Sequence, residues 1–470
     1  MATQKITIDP VTRIEGHLKM TVEVEDGVIK DAYSSGTMWR GIEVILKGRD
    51  PRDAGVITQR ICGVCPMAHG TASILAIDDA FKVKVPDNGR IIRNLLLGAN
   101  HLQSHILHFY HLAALDYVQG PDVAPFVPRY KGDYRLPKKL NDQYVAHYLQ
   151  ALEMRKKAHE MLAVFGGKMP PQITMVVGGV TVKPSVDKIA SFLWRLREIR
   201  DFVENVYIPD VLGVAEVYAD YAKIGVGHGN LLAYGGFPLD GAGKEKLFKS
   251  GRYIKGRVLV MDPAKITEDV KYSWYKDSTS GKAPFDGMTE PEPEKAGAYT
   301  WLKAPRYDDQ PYEVGPLARM WVNGDYRQGI SVIDRHAARA LEAKKLAQVM
   351  EDWLLQLKPG ELACAETKVP DSGEGMGLTE GARGALGHWI KVKGKKIENY
   401  QAVVPTTWNC GPRDDKGVRG PVEEALVGTA IADVDNPLEI VRIIRSFDPC
   451  IACAVHLIKP SGEMKKFRVI

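Results

Sequence analysis

The chain opens with a period-2 pattern. Leu18-Lys19-Met20-Thr21-Val22-Glu23-Val24 alternates apolar and polar positions, Glu25-Asp26-Gly27 supplies a turn, and the alternation resumes from Val28 to Tyr33. With Ile6 to Ile8 as a further short run, this predicts a hairpin near the N-terminus. The period then lengthens to that of a helix. Between residues 88 and 118, Ile91, Ile92, Leu95, Leu96, Leu102, Ile106, Leu107, Leu112 and Leu115 fall at helical spacing. Residues 140–165 repeat the pattern after a proline and stop at Gly166-Gly167 and Pro170-Pro171. Residues 186–222 form a third helical region, with a break expected at Pro209. Residues 334–357 form a fourth, with Asp334 as the expected N-cap and Pro359-Gly360 as the stop. From 226 to 330 the pattern is irregular, holding short strand-like runs such as Gly256-Arg257-Val258-Leu259-Val260. Alternation returns over 386–404 around Lys393-Gly394-Lys395, a second hairpin, and Asn436-Pro437-Leu438 opens a last short helix ending near Ser446. No internal repeat or low-complexity linker divides the chain. The fold class is α+β: a single compact body with a central bundle of long helices and small peripheral β-sheets.

Composition changes this picture little. A length of 470 residues would by itself allow about three domains, but the patterning gives no boundary. With 45% hydrophobic and 26% charged residues the chain can bury a large core, which excludes a disordered, collagenous or disulfide-stapled protein. The net charge is +5 and no block of like charges appears, so no nucleic-acid partner is expected. No apolar run reaches the roughly 18 residues needed to span a bilayer. The N-terminus lacks the apolar core of a secretory signal, so export would depend on a partner that carries one.

The informative feature is cysteine placement. Six cysteines occur, and four form two C-x-x-C pairs at opposite ends: Cys62 and Cys65, Cys450 and Cys453. Two-residue spacing lets two thiolates converge on one ion, and four thiolates make a complete soft-ligand set. A structural zinc site, a redox pair, disulfides and an iron–sulfur cluster on four cysteines all remain open on spacing alone. Zinc pairs usually lie some 15–20 residues apart, whereas almost the whole chain separates these. Cys364 and Cys410 lack paired spacing and read as packing residues. His105, His108 and His111 lie three apart along one helix and read as a core polar network rather than a metal face.

The flanks narrow the choice. Arg60-x-Cys62-Gly-x-Cys65-x-x-x-His69 and Asp448-Pro-Cys450-x-x-Cys453-x-x-His456 resemble the large subunit of nickel–iron hydrogenases, above all the membrane-associated uptake group. The resemblance spans essentially the full chain. Arg13-Ile14-Glu15-Gly16-His17, Ser104-His105-x-x-His108-Phe109-Tyr110-His111-Leu112, Glu380-Gly381-Ala382-Arg383-Gly384, Val404-Pro405-Thr406-Thr407-Trp408-Asn409 and Asp435-Asn436-Pro437 match further family blocks in order.

The resemblance implies reversible heterolytic cleavage of H2 at a Ni–Fe centre whose iron carries one CO and two cyanides. Cys62 and Cys450 become terminal nickel ligands, and Cys65 and Cys453 bridge both metals. Glu15 is the expected proton relay, hydrogen-bonded to Cys450. Arg383 lies over the centre, with Asp448 as its partner. Thr406 and the backbone near Ala382 and Pro405 would bind the cyanides, and His69 would hydrogen-bond a cysteine sulfur. A Mg²⁺ or related ion would take Glu43, the Ala402 carbonyl and His456.

The chain continues 14 residues past His456. The family pattern makes 1–456 the mature chain and 457–470 a propeptide that a maturation endopeptidase removes after nickel-insertion factors have acted. The remaining cysteines are too few for an electron relay, so a small subunit with iron–sulfur clusters is implied, along with a membrane cytochrome subunit. The expected location is periplasmic and membrane-associated through partners, with the cytoplasm as alternative. Ser104 stands where some relatives have aspartate, and Pro171 where others have histidine. Competing readings are a catalytically silent relative, such as the quinone-site subunit of respiratory complex I, and a zinc- or cluster-binding assembly protein.

Overall fold

The computed structural model describes residues 3–124 and 126–454, with Cys453 and Ala454 described by their backbone. The N-terminal alternation forms an antiparallel sheet of β1 (Gln4–Ile8), β2 (Leu18–Glu25) and β3 (Val28–Gly36), in that order. Asp26 and Gly27 both take positive φ, 52° and 73°, the geometry that a tight two-residue hairpin needs.

The helical runs become α1 (Pro66–Phe81), α2 (Asp87–Leu107), α3 (Lys138–Gly166), α4 (Val186–Phe202), α5 (Ile208–Val217), α6 (Pro316–Asn323) and α7 (Val332–Leu355). Helix α2 packs between α3 and α7, and α4 lies against both of those neighbours. Nearly every residue of α2 is buried, including Asn94, Asn100, His101, Gln103, Ser104 and His105. A helix with polar residues inside must find them partners: Asn100 and Gln103 donate to the Val64 carbonyl at 3.0 and 2.7 Å, and Ser104 faces Arg383.

Two expected helix boundaries are corrected. The third helical region does not break at Pro209. Its backbone widens into a π-turn over Val203–Tyr207, and Pro209 then sits in the first turn of α5, where its missing N–H leaves no bond unmade. Asp334 is not the cap of α7. Ser331 is, its hydroxyl accepting from the Asp334 N–H at 3.2 Å.

The second hairpin has a third strand that alternation did not reveal. β4 (Ser372–Gly381), β5 (Gly384–Lys393) and β6 (Lys396–Val403) form one antiparallel sheet. β4 was hidden because Gly373, Gly375 and Gly377 occupy one face. That face lies directly on α1, where Ala72, Ala76 and Ala80 recur every turn. A Cβ at Gly375 would stand 2.0 Å from the Ala76 carbonyl oxygen, and one at Gly377 2.0 Å from that of Ala72. Small residues on both surfaces let strand and helix backbones touch. The chain ends its described course in α8 (Pro405–Cys410), α9 (Leu438–Ser446) and a further turn, α10 (Ile451–Ala454). The helix ending at Ser446 is therefore not the last.

Candidate metal centre

Both ends of the chain meet beside α1. Cys62 is extended and follows the Thr58–Ile61 turn, while Cys65 immediately precedes Pro66, the first residue of α1. The Cys62 sulfur accepts the N–H groups of Val64 and Cys65 at 3.3 and 3.4 Å, contacts that favour a thiolate. From the other end, Asp448 turns the backbone at φ 54° and delivers Pro449 and Cys450. Glu15 runs parallel to this segment: its N–H donates to the Pro449 carbonyl (3.3 Å) and its carbonyl accepts from Ile451 (2.8 Å). Gly16 has φ 83°, and a Cβ there would meet the Ala452 nitrogen at 2.4 Å, so only glycine fits the R-I-E-G-H turn.

Sulfur atoms of Cys62, Cys65 and Cys450 lie within 4.8 Å of one another, all buried. Cys62 and Cys450 are 3.1 Å apart, too far for a disulfide. Three converging buried thiols are what a soft metal requires, and the donor set fits nickel or low-spin iron. The Cys453 backbone lies in α10, and its side chain falls outside the described residues. All six cysteines of the sequence are ordinary cysteine, and no selenocysteine occurs.

The expected functional groups surround this cluster. Cys450 Sγ donates to Glu15 Oε2 at 3.0 Å, and the Ala452 N–H donates to the same oxygen at 3.1 Å. Burial, and then the charge of Cys62, push the Glu15 carboxyl above its usual range. Arg383 sits in the β4–β5 turn. Its Nε donates to the Asp448 carbonyl (3.0 Å), its Nη2 lies 3.0 Å from Asp448 Oδ1, and Nη1 reaches Ser104 Oγ at 3.5 Å. The Nη2–Oδ1 contact is an ion pair without hydrogen-bond alignment, since neither atom has a hydrogen-bond partner among the described residues. Burial opposes the Arg383 charge, but Asp448 and the three cysteines outweigh it and hold the guanidinium charged. Thr406 Oγ1 accepts the Cys450 N–H at 2.9 Å. A small cavity of about 10 Å³ beside Cys65 is lined by Ala68, His69, Ala382, Arg383, Pro405 and Thr406, among others.

The His69 ring shares a hydrogen bond with His388, Nδ1 to Nε2 at 3.3 Å, and it feels the charge of Cys62. Burial lowers the His69 pKa to about 4, so a neutral ring can share a proton with a second ring. The α2 histidines do not converge. His105 binds Glu342 (2.9 Å), His108 the Arg445 carbonyl (2.6 Å) and His111 the Tyr148 carbonyl (3.2 Å). Cys410 is buried and Cys364 half-buried, and burial raises both thiols.

A second constellation forms around Glu43. Its Oε1 accepts the Ala402 N–H at 2.9 Å, its Oε2 accepts the Thr289 hydroxyl, and Lys303 lies 3.9 Å away. Lys303 also binds Glu268 at 3.1 Å. Two carboxylates thus share one ammonium on a cavity of about 70 Å³, a donor chemistry that fits a hard cation. His456 lies outside the described residues.

Two groups escaped sequence reasoning. Arg40 donates to the Arg60 carbonyl (3.0 Å), the Ile61 carbonyl and the Ala452 carbonyl (2.9 Å), tying both cysteine segments together. Arg319 of α6 clamps the Arg383 turn, donating to Glu380 (2.8 Å), the Gly381 carbonyl (2.8 Å) and the Ala382 carbonyl (3.0 Å), with Glu342 behind it at 2.7 Å. A single arginine carries no spacing signal, whether in a loop like Arg40 or in a short helix like Arg319. Only the fold reveals them.

The buried sulfur cluster marks a metal-binding protein, and comparison with known proteins specifies it. The family model described as nickel-dependent hydrogenase matches residues 40–121 and 118–456, and a HoxL-like model matches residues 5–35. The periplasmic [NiFeSe] hydrogenase large subunit of Desulfomicrobium baculatum is 49% identical, covering 97% of this chain and 95% of that one. The uptake hydrogenase large subunit of Bradyrhizobium diazoefficiens is 37% identical over 99% of this chain and 97% of its own. The solved Ni-Fe-Se hydrogenase from D. vulgaris Hildenborough superposes with a TM-score of 0.95 at 52% identity, over 97% of this chain and 100% of that chain. This chain belongs to the nickel-dependent hydrogenase large subunit family. It is an oxidoreductase acting on H2, its single α+β body matches the solved relatives, and its buried cysteine cluster is suited to metal.

Proposed function

We propose that Cys62, Cys65, Cys450 and Cys453 hold a nickel–iron centre whose iron carries one CO and two cyanides. Cys62 and Cys450 would serve nickel, and Cys65 and Cys453 would serve both metals. The observation that carries this reading is the meeting of three buried sulfurs from opposite chain ends, with Glu15 on one and Arg383 facing all three. When bound, the bimetallic group supplies the Lewis-acidic, redox-active position at which H2 is polarised. The chain supplies the rest. Glu15, raised by its burial against Cys62, accepts the proton at Oε2 from the Cys450 sulfur, 3.0 Å away. Arg383, kept charged by Asp448, offers donors to anionic diatomic ligands, and Ala68, Ala382 and Pro405 shape the small apolar space beside Cys65 for them. The Thr406 hydroxyl remains able to donate there. Arg319 and Ser104 keep the guanidinium in position.

Glu43, the Ala402 carbonyl and His456 are proposed to hold Mg²⁺ or a similar ion, and 457–470 to be a propeptide cut after His456 by a maturation endopeptidase once nickel is inserted. The end of the family match at residue 456 supports the second point. The partner is a small subunit, as the relatives' names imply; iron–sulfur clusters in it, and a membrane cytochrome beyond it, complete the electron path. Relatives named periplasmic, uptake or quinone-reactive support a periplasmic, membrane-associated setting through partners. Among the described residues no helix is long and apolar enough to cross a membrane.

The test is metal analysis joined to infrared spectroscopy of the purified enzyme. Nickel and iron near one each, with CO and cyanide bands, are expected. Zinc alone without such bands refutes the reading. Mass spectrometry of the active chain is expected to end it at His456.

A further inference from the structure

A cavity of about 460 Å³, separate from both metal sites, opens between the C-terminal half of α1, the start of α2, the glycine-rich strand β4 and the 235–246 loop. Its size is within the range of small-molecule sites, about 300–1,000 Å³. Its walls are mainly apolar, with Leu75, Val83, Val85, Leu97, Phe237 and Leu378 contributing. At its rim stand the exposed residues Asp79, Lys82, Gly241 and Ala242.

Charge on the walls is almost fully compensated. Lys82 pairs with Asp79 at 2.9 Å, Arg90 with Asp87 at 3.2 Å, and Arg93 with Asp78 at 2.7 Å. Asp240 is held by the N–H groups of Ala242, Lys244 and Glu245 at 2.6, 3.3 and 2.7 Å. Lys246 is the exception. Its Nζ makes a long contact of 3.4 Å to the Tyr234 carbonyl, and no carboxylate comes within ion-pair distance of it among the described residues. The carboxylate that influences it most, Glu380, is already bound by Arg319 and by the N–H of Tyr234 and Gly235. Burial accordingly pushes the Lys246 ammonium below its usual range, with Glu380 pulling the other way. An apolar cavity with one cation that lacks an ion-pair partner among the described residues has a definite complement: a single negative charge on a hydrocarbon body.

We propose that this cavity binds a small amphipathic monocarboxylate, with the carboxylate on Lys246 and the hydrocarbon part against the α1, α2 and β4 side chains.

Isothermal titration of the assembled enzyme with octanoate, and separately with 1-octanol, tests the proposal. Octanoate is expected to bind saturably. A charge-assisted bond implies that Lys246→Met weakens octanoate by about tenfold or more while leaving octanol nearly unchanged. Lys246→Arg keeps octanoate binding, which separates charge from packing. Leu378→Trp, which fills the cavity, abolishes binding of both. Absence of saturable octanoate binding at millimolar concentration, equal octanoate binding by Lys246→Met, or undiminished binding by a folded Leu378→Trp overturns the proposal. None of these readouts depends on the metal centre, so failure here leaves the hydrogenase reading intact.

Discussion

At the scale of single residues, two side chains can be used to test the proposed separation of metal holding from proton and charge handling. Glu15 touches the Cys450 sulfur but adds no sulfur of its own to the cluster. Glu15→Gln keeps an acceptor for the Ala452 N–H and loses the titrating oxygen. Nickel and iron content are expected to stay at wild-type levels while H/D exchange falls about 100-fold or more, the usual scale of a lost acid–base group. Full exchange in that variant would remove Glu15 from the proton path. Arg383 presents a planar fork to Asp448 and Ser104 that an ammonium cannot reproduce. Arg383→Lys is expected to retain metal and lose about tenfold or more in H2 uptake, since charge remains but directed donors do not. Unchanged uptake would reduce Arg383 to a generic cation.

At the scale of elements, the contact between α1 and β4 fixes how far Arg383 stands from the cysteines. One end of α1 begins at Cys65, and one end of β4 leads into the Arg383 turn. Gly375 and Gly377 let the two backbones touch, and a methyl at either would stand 2.0 Å from a helix carbonyl oxygen. Gly377→Ala is expected to destabilise the chain by about 3 kcal/mol or more, because backbone on both sides cannot step aside. Denaturant unfolding of the variant against wild type measures this. A change under about 1 kcal/mol would show that the sheet can slide on the helix. The same contact explains why the strand was illegible: a glycine row has no hydrophobic period. The π-turn before Pro209 was hidden for a related reason, since hydrophobic spacing continues across it while the backbone register does not.

At the scale of the whole molecule, one buried carboxyl links distant parts of the chain. Glu423 accepts from the Ser34 N–H (2.9 Å), the Tyr299 hydroxyl (2.7 Å) and the Gly420 N–H (3.3 Å), joining β3 to segments hundreds of residues away. Burial raises its pKa to about 7, against about 4.3 in an unfolded chain. The fold therefore holds this proton more tightly than the unfolded chain does. The contribution is complete below about pH 4.3 and is lost as pH rises towards 7, a fall of roughly 4 kcal/mol. Glu423→Gln is expected to flatten the unfolding midpoint between about pH 4.3 and pH 7, within about a unit of these values. An equally steep fall in the variant would assign the dependence to other groups.

Local pattern was enough to give the helical core, the N-terminal hairpin and the ligand type, because hydrophobic period and C-x-x-C spacing are properties of neighbouring residues. It also separated the two paired cysteine motifs from Cys364 and Cys410. The meeting of the two chain ends needed the folded molecule, with Glu15 pairing alongside Cys450 and Arg40 lacing both cysteine segments. So did the turn of His69 to His388, the grip of Arg319 on the Arg383 turn, and the placing of Lys246 on a cavity with no carboxylate at ion-pair distance among the described residues. These are contacts between residues far apart in the chain. They depend on burial and on which backbones can touch, and neither leaves a periodic trace in sequence.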